Sequence, residues 1–162
     1  MINMDEWENM LHFAIEMIKH AKKAYAPDVI DERIAIVSLD HATELLMKSF
    51  LLENSYIINE LNLNKIKKGF NKNTQLKDLL NDDKTIGFKD VLNIVSKKIE
   101  LDKSDKETIL KFHKLRNEIQ HRGLYINLNK TEAIRNFCPS LNKLYNKMFP
   151  KYADDFPDLI FQ

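Results

Sequence analysis

The sequence predicts an all-α fold, an up-and-down bundle of four to five long helices, and three observations carry that expectation. Apolar residues recur at helical spacing along several long stretches. Only three glycines and four prolines punctuate 162 residues, too few for the tight turns of an all-β chain. Helix starts and stops bracket the periodic stretches in the expected order.

The elements follow in sequence. Asn3 and Glu6 fit a capping box ahead of the stripe Trp7, Met10, Leu11, Ala14, Met17, Ile18, Ala21 and Tyr25, which Pro27 ends. Asp28 is placed to cap a second helix running to about Asn54. Its apolar residues, from Ile30 and Ile34 through Leu45 and Leu46 to Phe50 and Leu52, spread so widely that it should be the central helix. Leu61 to Lys84 is rich in Asn and Lys and weakly periodic, a connection with room for one short helix from Thr74 to Leu80. A helix over Phe88 to Glu100 follows. Ser104 and Glu107 form a capping box for the next helix, and Gly123 suits a left-handed stop beyond it. Thr131 is placed to cap the last helix, with Ile134, Phe137, Leu141, Leu144 and Met148 inward; Pro139 should kink it and Pro150 end it. Residues 1–150 thus read as a single helical domain. Residues 151–162 form an acidic, aromatic tail for which docked and disordered states are equally open.

Composition narrows the function classes. A net charge of +1 makes no global electrostatic claim on nucleic acid. Locally, Lys65, Lys67, Lys68 and Lys72 cluster, as do Lys111, Lys114, Arg116 and Arg122. Each run is either a solvated face or a track for a polyanion. The lone Cys138 excludes an intrachain disulfide and a cysteine-based zinc site. His41 and Glu44 have metal-ligand spacing but lack a third ligand, so neither a metal nor a cofactor is expected. No apolar run is long enough to span a membrane, and Asp5, Glu6 and Glu8 do not suit a secretory signal. The expectation is a soluble cytoplasmic protein.

Chemistry concentrates in Leu115-Arg116-Asn117-Glu118-Ile119-Gln120-His121-Arg122-Gly123. At 100° per residue this helix has three faces. Ile109, Phe112, Leu115 and Ile119 belong to the core, whereas Lys111, Lys114, Glu118 and Arg122 point to solvent. Between them lie His113, Asn117 and His121, flanked by Arg116 and Gln120. That polar, mostly uncharged face suits the wall of a cleft or of a subunit interface. His can exchange a proton near neutral pH, and Arg can fork two donors onto a phosphate. Five residues separate Arg116 from His121, about 140° and roughly 7.5 Å on an ideal helix. One copy is therefore half a phosphate site, and two copies about a two-fold axis would complete it, which predicts a homodimer.

Arg116-Asn117-x3-His121, at the end of a helix in an all-α chain of this size, resembles the Arg-x4–6-His motif of HEPN domains. His41-Ala42-Thr43-Glu44-Leu45-Leu46-Met47-Lys48 is similar to the Glu-bearing central helix of many members. The likeness spans roughly Met4 to Phe149. It implies a metal-independent endoribonuclease, with an antitoxin protein or anti-phage defence as its setting, or a non-catalytic dimer binding RNA, a nucleotide or a partner protein. Under the catalytic reading His121 is the general acid/base, Arg116 stabilises the phosphoryl transition state, and Asn117 orients His121 or a phosphate oxygen. Glu44, His113 and Gln120 would support the site or line the interface, and Lys65, Lys67, Lys68, Lys72 and Arg122 would hold RNA. Gly123 stands where a nucleotidyltransferase-paired subset carries a modifiable Tyr, which argues against such a partner here. Outside the family, the same residues describe a helical adaptor with a polar protein-binding face. On that bland reading His121 is a dipole-compatible helix end, Arg116 pairs with Glu44 or Asp40, and Glu44 pairs with Lys48.

Overall fold

The structure, a computed structural model, describes residues 5–24, 32–54, 87–122 and 130–159. These form five α-helices: α1 Glu6–Ala24, α2 Glu32–Glu53, α3 Phe88–Ile99, α4 Lys103–Arg122 and α5 Lys130–Met148. A 3₁₀ segment, Pro150–Asp155, follows. The described residues contain no strand, and none of these helices is long and apolar enough to cross a membrane. Pro27, Asp28, the Thr74 to Leu80 stretch, Gly123 and the four clustered lysines all lie outside the described residues.

Helix α2 is the hub of the bundle, touching α1, α3, α4 and α5. Its length explains why. Eleven of its residues are buried, among them Ile36, Leu39, Leu46, Met47 and Leu51. Small residues bring α1 close: the Ser49 hydroxyl donates to the Trp7 carbonyl at 2.7 Å. Ala42 and Ala35 lie seven and fourteen residues before Ser49, on the same face, and are fully buried, as are Ala14 and Ala21 of α1. With no side chain beyond Cβ to hold the backbones apart, α1 and α2 pack as a tight hairpin.

The helix ends differ from the sequence expectation by one or two residues, within the usual spread of helix boundaries. Asp5 caps α1: its carbonyl accepts the first helical bonds and Glu8 reaches back to its amide at 3.1 Å; Asn3 lies outside the described residues. The Asp102 carbonyl, not that of Ser104, accepts the first bond of α4, from Lys106. That shift puts Asp105 in the first turn, where it is buried and accepts hydrogen bonds from Ser140 at 2.8 Å and Lys143 at 3.4 Å on α5. Phe112 stacks on Phe137 at 3.8 Å and ties the middles of the same two helices. Helix α5 runs through Pro139 and ends at Met148, two residues before Pro150.

Glu100 ends α3 in the left-handed region, at φ 52° and ψ 51°, and its carbonyl is held by Lys147 at 2.9 Å. A side chain there costs about 1 kcal/mol that glycine avoids. Glu100→Gly is therefore expected to raise the urea midpoint by a stability of that order. An unchanged or lower midpoint would show the strain to be absent.

The tail is docked. Tyr145 donates to the Tyr152 carbonyl at 2.8 Å and stacks on Phe156. Tyr152 packs on Trp7, and Lys22 donates to the Asp158 carbonyl at 2.7 Å. The segment thus runs along α1 from its first turn to its last.

Candidate functional site

Asp40 is the residue around which the site is built. It lies on the core face of α2, fully buried, and a buried carboxylate needs cationic or hydrogen-bonding partners. Helix α4 supplies them. His113 Nδ1 lies 3.0 Å from Asp40 Oδ2 and 3.3 Å from Oδ1. Arg116 Nε lies 3.1 Å from the same Oδ2. This nitrogen is buried and not aligned for a hydrogen bond, so the contact is an ion pair.

The chain of contacts continues along α4. Arg116 Nη1 donates to Asn117 Oδ1 at 2.9 Å, and Asn117 Nδ2 faces His113 Nε2 at 3.2 Å. An arginine can only donate, which fixes Asn117 Oδ1 as its acceptor and leaves Nδ2 to donate onto the ring. The imidazole that satisfies both neighbours carries its proton on Nδ1, toward Asp40, and accepts at Nε2. Phe88, the first residue of α3, stacks on His113 at 3.8 Å with the rings 3° from parallel. Asp40, His113, Asn117 and Arg116 thus form one closed ring of polar contacts, lidded by Phe88.

Each expected site residue has a definite place. Arg116, Asn117 and His113 come together, but inside the chain. The half-buried polar face of α4 packs against α2 and α3 there. Glu44 does not reach Arg116. It pairs with Lys48 at 2.8 Å, one turn along α2. His121 and Gln120 are exposed at the last turn of α4 and stand apart from the ring. The side chain of Arg122 and the lysines 65, 67, 68 and 72 lie outside the described residues.

Asp40 and Phe88 are the site residues that motif reasoning underweights. A carboxylate at the spacing of Ile36, Thr43 and Met47 sits on a core stripe, and that was the available signal. Phe88 carried none.

The arrangement has a limited chemical range. Arg116 keeps donors beyond those turned to Asp40 and Asn117, and its orientation is fixed, as phosphate binding requires. His121 is accessible for proton exchange. Burial pushes the Cys138 thiol up to about 12, which removes it as a nucleophile. No three His, Cys, Asp or Glu among the described residues could share a metal ion. Three grooves of about 480, 780 and 680 Å³ lie between α1 and the tail, between α5 and the tail, and between α4 and α5; Arg116 and His121 line none of them. Comparison with protein families, with curated proteins and with solved structures finds no match to this chain.

Proposed function

We propose that this chain is a metal-independent endoribonuclease of the HEPN type, acting through Arg116 and His121. The observation that carries the reading is the Asp40–His113–Asn117–Arg116 ring, which fixes a guanidinium five residues before an exposed histidine. Preorganised charge of this kind is what a phosphoryl transition state rewards. His121 would take the proton from a ribose 2′-hydroxyl as its oxygen bonds to the adjacent phosphorus. The bond from phosphorus to the 5′-oxygen would break, and that oxygen would receive a proton. Arg116 would neutralise charge on the non-bridging oxygens. The products are a 2′,3′-cyclic phosphate and a 5′-hydroxyl. Since Arg116 and His121 diverge by about 140° on one helix, the reading places a second copy's motif opposite the first. A cytoplasmic defence or toxin role, with an antitoxin as partner, belongs to the same proposal.

The test is incubation with a broad RNA panel in EDTA. The expected 3′ ends resist phosphatase until acid opens the ring; 3′-hydroxyl ends, or cutting only with added metal, would overturn the reading. The position of His121 outside the ring favours a second reading, a non-catalytic HEPN-like dimer that binds RNA through Arg116.

Both readings give Lys65, Lys67, Lys68 and Lys72 to the RNA backbone. Replacing all four by Gln is expected to weaken binding and lower the log–log salt slope by about 3, at roughly 0.7–0.9 per phosphate contact. Equal binding at low and high salt would return these lysines to plain surface.

A further inference from the structure

Helix α1 carries a second stripe that the fold covers only in part, Met17 packing against the core while Phe13 stays exposed. Glu6, Met10, Phe13, Met17 and His20 follow one another at spacings of four, three, four and three residues, the a/d rhythm of a coiled-coil seam. The opposite flank of α1, with Trp7, Leu11 and Ile15, is taken by the core and the tail. Phe13 is 57% exposed, one of two large apolar side chains so exposed among the described residues. Glu6 and His20 are also exposed, while Met10 and Met17 are half-buried.

We propose that this stripe is the seam on which a second copy of the chain docks, α1 against α1 and antiparallel. Charge complementarity selects that occupant and that direction. Glu6 stands at one end of the stripe, and His20 at the other end has exposed Lys23 on its flank. Parallel copies would set like ends together, whereas antiparallel copies match acid to base at both ends. A two-fold axis at Phe13 stacks Phe13 on its own copy. It also sets Met10 against the second copy's Met17, and Glu6 against the second copy's His20. The surface is self-complementary, as a two-fold interface must be.

The seam lies on a different helix from Arg116 and His121 and does not rest on the proposed chemistry. Used alone it makes a dimer; used together with a motif-helix interface it doubles that assembly. The test is mass by light scattering and sedimentation equilibrium of the full chain. Phe13→Glu is expected to halve the assembly mass at micromolar concentration, raising the dissociation constant on the order of 100-fold. It should leave the thermal midpoint of the monomer unit and any RNA cleavage per motif pair in place. Glu6→Lys and His20→Glu should each weaken association, and the double swap should restore it, an outcome that only antiparallel pairing gives. A monomeric wild type, or equal masses for wild type and Phe13→Glu, would overturn the seam. Loss of cleavage at unchanged mass would instead bear on the motif.

Discussion

Replacing Asp40 by Ala is expected to destabilise the protein by about 3 kcal/mol, the largest single loss in stability outside the apolar core. The change itself removes a buried charge, which alone would be favourable. The cost lies in what remains: Arg116 and His113 keep their places on α4 with their carboxylate gone. Their side chains are only 17% and 19% exposed, so water compensates them incompletely, and the expected loss falls at the lower end of the range for a broken buried pair. Asp40→Asn should recover part of it, since one amide oxygen can still accept from His113. The double change Asp40→Leu with Arg116→Met should be milder than Asp40→Ala, because it removes both charges at once. Urea denaturation with an unchanged slope reads all three. A loss under about 1 kcal/mol for Asp40→Ala would mean that the ring contributes nothing to the fold.

The same ring shows where the sequence was readable and where it was not. The centrality of α2 was visible because apolar and small residues occupy most of its circumference, and such a helix has to be surrounded. The core face of α4 was visible for the same reason: Ile109, Phe112 and Ile119 are buried where the period puts them. Choosing between Asp40 and Glu44 was not possible from spacing. Four residues turn a helix by only about 40° beyond a full turn, so both carboxylates sit near one stripe. A small rotation of α2 decides which faces α4. Glu44 had a local partner in Lys48, and Asp40, flanked by Leu39 and His41, had none within a turn that could pair with it. Likewise, the polar face of α4 read as the wall of a cleft or of a subunit interface because its partners within the chain, Asp40 and Phe88, come from two other helices. The docked tail was illegible for a related reason. Lys22 and Asp158 are 136 residues apart, and only the packed bundle shows that α1 has a free flank for the tail to follow.

Arg116→Ala and His121→Ala are each expected to slow RNA cleavage by roughly 10²–10⁴-fold, the usual worth of a positioned proton-transfer group or of a preorganised charge at a phosphoryl centre. The two changes should differ in everything else. His121 is exposed and has no part in the ring, so His121→Ala should leave the thermal midpoint where it was. Arg116→Ala strips a cation from buried Asp40 and should cost stability as well as rate. Arg116→Lys should restore some stability but little activity, since an ammonium cannot reproduce the fork. If two motifs build each site, mixing the Arg116→Ala and His121→Ala chains should return part of the activity, because one site of the mixed pair is intact. The most direct test is therefore single-turnover cleavage in EDTA by wild type and by His121→Ala, at matched thermal midpoints. The account predicts cyclic-phosphate products from wild type and a loss of at least 100-fold in the variant, roughly the lower bound for removing the proton-transfer group. Equal rates for the two proteins, or no cleavage by wild type of any RNA in a broad panel, would contradict it.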